Sequence, residues 1–446
     1  MVRSDSALHP PETWAPIRRA ARAIASPIQQ VLAIEAASGV LLLASTVVAL
    51  VWANVAGASY AALWHTPVGV QLADWSFVRP LHFWINEGLM TIFFLVVGLE
   101  IRREIFEGEL ASLRKAALPL AAAAGGMLVP AAIFALVNRG EAGAAGWAIP
   151  MATDIAFAVG VLTLVGSRVP VALRVLLLAL AVIDDIGAIV VIAVFYSSGI
   201  AVEGLLLVAV GIAIVLVMRG AGVRAPLGYV IPGALVWAGL LATGVHPTIA
   251  GVMLGLLAPV RPWFGASGFA ATTQTQLDAL PEADRAGLLS RLDVIEQARR
   301  EAVSPVERLI HGLHPWVAFG VMPLFALANA GVVLGGAQLS GGSLWLFVGI
   351  VAGLALGKPL GIAAAALGAS RLGLATRSAE MSRRGILLVG LVGGIGFTMS
   401  LFIAQLAFPP GPLLDTAKLA ILVGSGGSIV TGLGFSLVAL RSVRGR

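Results

Sequence analysis

Cysteine is absent from all 446 residues. That excludes disulfides, thiol catalysis and cysteine-ligated metals, and it fixes no redox compartment. Charge is scarce as well. Asp, Glu, Lys and Arg supply 12% of the chain, about half the ~25% usual for soluble domains. Apolar residues make up 59% and the mean hydropathy is +0.95, which excludes an ordinary soluble domain. The net charge of +6 could suggest a nucleic-acid partner, but loops on the cytoplasmic side of membrane proteins are rich in Lys and Arg for their own reason. No nucleic acid is expected.

What the chain has instead is long apolar runs. They fall near 35–54, 81–99, 117–138, 148–166, 171–197, 203–218, 226–241, 244–259, 315–335, 343–369, 385–408 and 417–440. The expected fold is an all-α polytopic membrane protein with about twelve transmembrane helices. Gly244 and Pro247 separate the seventh run from the eighth only weakly. The charges test the count. With the N-terminus inside and spans alternating, 25 of the 29 Lys and Arg fall on the cytoplasmic side and only Arg79, Arg139 and Lys418 outside, with Lys358 inside a span. Losing one span would flip every later loop and destroy that bias. The expected organisation is a cytoplasmic tail (1–34), one transporter domain (35–441) and a short cytoplasmic tail (442–446). The first apolar segment reads as an uncleaved span rather than a signal peptide. Loop 260–314 carries six basic and seven acidic residues. Leu288, Leu289, Leu292, Ile295, Ala298 and Ala302 recur in it near helical spacing, which predicts an amphipathic cytoplasmic helix.

Four charges lie deep in the spans: Asp154, the adjacent pair Asp184 and Asp185, and Lys358. The pair sits in LLLALAVIDDIGAIVVI, within an apolar run from Val171 to Tyr196. As a helix that run would extend ~39 Å, placing both carboxylates near the centre of a ~30 Å hydrocarbon layer. Each charge there costs at least ~2.5–3.5 kcal/mol, so such groups mark a pathway or binding site facing the bundle interior. An Asp–Lys pair could serve packing alone; it cannot absorb three carboxylates. Thr153 and Thr398 lie at similar depth. Pro150 before Asp154, and the glycines of GLVGGIGFTMSLF, point to discontinuous helices in the fourth and eleventh spans. Those two spans are the middle members of spans 3–5 and 10–12, which start on opposite sides and so form an inverted repeat.

The segments ATDIAFAVGVL, LALAVIDDIGAIVVIAVFY, LHPWVAFGVMPLFALANAGV, GKPLGI and GFTMSLFIAQLAF together resemble the NhaA sodium/proton antiporters, over about residues 30 to 440. The resemblance implies a bacterial inner-membrane exchanger, electrogenic and pH-regulated, with two broken helices crossing at mid-membrane. It makes Asp185 the principal sodium and proton site. Asp184 assists in binding sodium while pairing with Lys358, and Asp154, Thr153 and Lys358 complete the site. Sodium and lithium are hard cations that take oxygen ligands, as other hard cations do. A carboxylate removed from water holds its proton more readily, and a group holding either a proton or sodium exchanges them if it opens to each side in turn.

The resemblance also makes Glu100 and Glu104, in GLEIRREIFEGEL, candidates for an acidic funnel that senses pH, with His311 as a third candidate. His246 and His314 match family histidines. The family's glutamate before His311 is Ile310 here, so the pH response is expected to lean on Glu100 and Glu104. Residues 57–80 stand where the family has an extracellular hairpin involved in dimerisation, which allows a homodimer. No cofactor beyond the transported ions is implied, and the chain is not expected to be an enzyme. A sodium-coupled solute symporter of similar fold is the alternative; it would need an extra polar pocket, and the spans show few polar residues beyond those named.

Overall fold

The computed structural model describes residues 35–197, 201–262, 264–279, 285–333, 335, 340–378 and 380–439. The expected tails, 1–34 and 442–446, lie outside them. Among the described residues nine continuous helices are long and apolar enough to span a membrane: α1 (Glu35–Val55), α3 (Leu81–Phe106), α4 (Leu113–Val137), α6 (Val171–Phe195), α7 (Val202–Gly220), α8 (Pro226–Thr243), α12 (Pro305–Asn329), α13 (Gly342–Arg371) and α16 (Pro412–Ala439). Two bent pairs add two more spans. The 3-10 segment Ala142–Met151 meets α5 (Ile155–Val165) at 47°, and α14 (Arg383–Gly393) meets α15 (Phe397–Ala407) at 46°. The near-equal bends fall at the middle of each expected three-span repeat.

The eighth apolar run is the exception to the expected count. Its helix α9 (Ile249–Leu257) has nine residues, about 14 Å of rise and half a hydrocarbon thickness. Contacts place the two ends of this segment beside opposite ends of α7. Thr243 O accepts from Ala201 N at 3.1 Å, and His246 Nε2 lies 3.0 Å from Tyr196 O, so residues 243–246 sit beside the start of α7. Arg219, in the last turn of α7, donates to Leu257 O at 3.0 Å, so α9 ends beside the other end of α7. Glycine makes the short span possible: a Cβ on Gly255 would stand 2.7 Å from Leu95 O. Here α9 lies backbone to backbone on α3, the close approach that small residues permit in membranes.

The 260–314 region also differs from the expected single helix. It forms α10 (Gly265–Asp278) and α11 (Arg285–Ala302), which run antiparallel, since Phe264 N before α10 donates to Glu301 O near the end of α11 at 3.2 Å. Arg224 pairs with Glu301, tying this hairpin to the chain after α7. Residues 305–314 are the first turns of α12, not loop. Pro305 occupies the first turn and the Ser304 hydroxyl accepts from Glu307 N at 3.1 Å, a strong start signal. After the short helix α2 (Gly57–Trp64), strands β1 (Pro67–Leu72) and β2 (Trp75–Pro80) pair antiparallel, giving a hairpin in the place expected for one.

The two repeats, α4 to α6 and α13 to α16, pack on each other through α4 and α13. A Cβ on Gly125 would lie 2.2 Å from Gly361 O. The helices around this core are not regular. Wide π turns occupy 317–321 in α12 and 353–357 in α13, each just ahead of a proline, Pro323 and Pro359, which has no N–H to continue the ladder.

Candidate ion site at the helix crossing

The extended stretch 152–154 and the tight turn 394–396 cross where the bent helices break, and Asp154 N donates to Ile395 O at 2.7 Å. Asp154 caps α5, its Oδ1 accepting from Phe157 N at 3.0 Å. Its Oδ2 accepts from Thr398 N at 3.1 Å and from the Thr398 hydroxyl. One carboxylate therefore meets the positive N-terminal ends of both α5 and α15. Ser425 Oγ, on α16, holds the start of α15 by accepting from Phe397 N at 3.1 Å.

Lys358 and Asp184 form the second group. The ammonium lies 2.6 Å from Asp184 Oδ2, with side-chain exposures of 0% and 1%, and also donates to the Thr153 hydroxyl. That hydroxyl lies 2.6 Å from Asp184 Oδ2 and 3.0 Å from Gly393 O, at the C-terminal end of α14. A buried pair survives only with such additional hydrogen bonds, because two desolvated charges barely recover their hydration energy from each other. One atom is left out: among the described residues the buried Asp184 Oδ1 has no hydrogen-bond partner.

Asp185 projects ~100° away from Asp184 around α6. It is equally buried, at 2% exposure, yet among the described residues its carboxylate makes no hydrogen bond. It lines a cavity of about 210 Å³ with Thr153, Asp154, Ser38 and Met399, and the same cavity reaches Glu100, Arg103, Glu104 and His314. Glu100 and Glu104 lie toward the end of α3 that carries the basic loops, so the cavity leads from that face to Asp185. A larger hollow of about 410 Å³ lies among Arg114, Lys115, Arg377 and Glu109. Three cations against one carboxylate disfavour a cation there, so the smaller cavity is the candidate site. Among the described residues no three acidic, His or Cys side chains converge as a metal cluster would. A bound cation would draw further ligands from hydroxyls, carbonyls and water.

The other candidates separate. Glu104 pairs with Arg103 at 3.7 Å. His311 is exposed and does not line the cavity, whereas His314 does. Ile310 is buried against Leu99, Val260 and Val306. His246 sits near the opposite face with Nδ1 3.8 Å from Glu87. The expectation of few further polar residues in the spans needs correction: His82, Asn86, Asn329 and Gln405 converge between α3, α12 and α15. Three amides and a histidine, spread over three helices, carry no acidic or basic pair to mark them, which is why the sequence does not announce them.

Comparison with known proteins agrees with this geometry. Residues 29–435 match the model of the family described as Na+/H+ antiporter 1. The chain is 56% identical to "Na(+)/H(+) antiporter NhaA 2" of Sorangium cellulosum over 448 aligned positions, covering 99% of this chain and 96% of that protein. It is 53% identical to the protein of that name in Myxococcus xanthus, covering 95% and 92%. The "Na(+)/H(+) antiporter NhaA" of Bordetella petrii is 48% identical, covering 96% and 93%. A polytopic helical chain with two broken helices, matched over nearly its whole length, thus belongs to the Na+/H+ antiporter 1 family.

Proposed function

We propose that the protein exchanges sodium or lithium ions for protons across the bacterial inner membrane, and that the two cargoes compete for Asp185. The observation that carries this reading is the contrast in bonding. Asp154 and Asp184 are engaged by helix ends and by Lys358, while Asp185 faces the cavity with no hydrogen bond from the described residues. An arriving cation meets Asp185 with Thr153 and Asp154 alongside, and the unpartnered Asp184 Oδ1 assists while Oδ2 stays with Lys358. A proton and a cation cannot both satisfy one carboxylate, so binding one expels the other. Exchange follows when the site opens alternately to each face. Competition at Asp185 alone exchanges one proton for one sodium ion; the electrogenic cycle takes a second proton, released from the buried Asp184–Lys358 pair as Asp184 Oδ1 meets the cation.

Glu100 and Glu104 at the cavity mouth attract cations and tune the response to pH. His311, exposed and off the cavity, contributes less than His314. The bias of Lys and Arg toward one set of loops supports cytoplasmic termini. A homodimer would join through β1 and β2, where Val68, Val70 and Val78 are exposed. The symporter alternative gains nothing from the cavity, whose lining beyond the charged and hydroxyl groups is apolar.

The reading is tested by dye-reported proton movement in inverted vesicles. Sodium or lithium added to the medium around vesicles with an acidified lumen should release protons from the lumen, and potassium or an organic solute should not. Release driven by a solute, or none with sodium, would remove the proposal.

A further inference from the structure

Three helices leave the cavity in the same order of residue types. On α3 the wall residue Val97 is followed by Phe94 and then Asn86; on α12 Met322 by Phe325 and Asn329; on α15 Met399 by Phe402 and Gln405. The phenylalanines are exposed by 2%, 0% and 1%. They meet, with Phe402 centred 5.3 Å from Phe94 and 6.3 Å from Phe325. This aromatic layer seals the cavity from the face opposite Glu100 and Glu104. Beyond it the amides bond one another. Asn86 Nδ2 donates to Gln405 Oε1 at 2.5 Å, Gln405 Nε2 to Asn329 Oδ1 at 2.6 Å and Asn329 Nδ2 to Asn86 Oδ1 at 2.8 Å, while His82 Nε2 lies 2.7 Å from Asn329 Oδ1.

Gln405 belongs to α15, in the repeat unit that carries the crossing; Asn86, Asn329 and His82 belong to helices outside both repeats. The closed ring therefore joins the ion-carrying unit to its surroundings, on the side away from the open cavity. We infer that this amide ring is a latch that holds the opposite face shut, and that its opening admits water past Phe94, Phe325 and Phe402 to Asp185. Neutral amides suit the task. They satisfy one another when dry, their partners can be replaced by water when apart, and they leave no fixed charge to trap a passing cation, which must both enter and leave. A network serving packing alone would hold the same bonds but would not bias which face is open.

The inference rests on the proposed alternating access to Asp185, but its test reads access directly and not exchange. The natural absence of cysteine lets one reporter, Met399→Cys, sit in the cavity wall. An impermeant methanethiosulfonate reagent is then applied to one face at a time, using right-side-out and inverted vesicles. With the latch intact, modification is faster from the Glu100–Glu104 face. Adding Gln405→Leu should raise the rate from the opposite face and lower it from the first, changing their ratio about tenfold, equivalent to ~1.4 kcal/mol. Asn86→Leu, on the other side of the ring, should act in the same direction and carries the test if Gln405→Leu does not insert. An unchanged ratio in an inserted variant, even with a lower melting temperature, would overturn the latch and leave a packing network. Failure of exchange itself to depend on Asp185 would instead show in the vesicle assay and leave these labelling rates untouched.

Discussion

Asp184 and Asp185 are neighbours in sequence and equals in burial, but they face different regions of the molecule. Asp184 looks into the crossing, where Lys358, Thr153 and the end of α14 surround it. Asp185 looks into a cavity that reaches Glu100 and Glu104 and receives no hydrogen bond among the described residues. The crossing is a region of bonds made; the cavity wall beside it is a region of a bond left open. A charge held by protein partners is structural and costly to disturb, whereas a charge without them is available to cargo. The helix does this with a single step of ~100° between adjacent residues.

The sharpest break in this comparison is Asp185→Asn. It keeps shape and volume and removes the titratable group, so exchange in vesicles should fall at least about a hundredfold, equivalent to ~2.7 kcal/mol, while the melting temperature in detergent barely moves. The crossing should respond the other way, with stability lost first. Lys358→Ala leaves the Asp184 carboxylate buried and unpaired, a loss of roughly 3–5 kcal/mol, visible as a lower melting temperature. Lys358→Arg keeps the charge and should retain part of the activity. Replacing both partners, as Asp184→Leu with Lys358→Met, should regain much of the stability without restoring exchange, because an apolar pair leaves no charge uncompensated.

A smaller effect is expected at the mouth of the cavity. Glu100 and Glu104 are one turn apart on α3 and lie away from the crossing, so changing both to Gln should move the pH of activation, scanned across about pH 6 to 9, and leave the maximal rate near that of the unaltered chain. Loss of the maximal rate would place them in the site itself. The smallest effect concerns the α10–α11 hairpin. Hydrogen bonds from Arg299 and Arg300 hold the Glu296 carboxyl down to about 2. A depressed carboxyl lends any stability it has above its ordinary range, near pH 4, and loses it only as pH falls toward 2. Glu296→Gln should therefore leave the exchange profile between pH 6 and 9 unchanged, and a shifted profile would show that this hairpin takes part in regulation.

Much of this was legible in the sequence for a simple reason: a charge in an apolar run is expensive. Asp154, Asp184, Asp185 and Lys358 stand out against their surroundings, and the structure brings three of them to the crossing and Asp185 to the cavity beside it. The Lys and Arg bias kept the eighth span in the count, although α9 is too short to pass on length alone; the contacts of Thr243 and Arg219 set the two ends of 243–257 beside opposite ends of α7. Uncharged polar groups shared among several helices were not legible. The ring of Asn86, Asn329 and Gln405 depends on three helices meeting, which no single segment reveals. The start of α12 lay in the Ser304–Pro305 cap rather than in hydropathy, because Glu307 and Arg308 mask it. Ile310 shows a different limit. The family resemblance implies a missing pH group at this position, but the Ile310 side chain packs among Leu99, Val260 and Val306 and is absent from the cavity wall. A glutamate there would enter an apolar cluster rather than the mouth of the path.

Competition of proton and sodium for Asp185 can be measured without transport. Purified protein in weakly buffered detergent, held at a pH where the site is still protonated, is titrated with sodium chloride against a choline chloride control while released protons are recorded. Sodium should release protons from the unaltered chain and from the double Gln variant of Glu100 and Glu104, with a midpoint that falls as pH rises, and should release none from Asp185→Asn. Proton release of undiminished size from folded Asp185→Asn would contradict the assignment and move the exchange site to the Asp184–Lys358 pair.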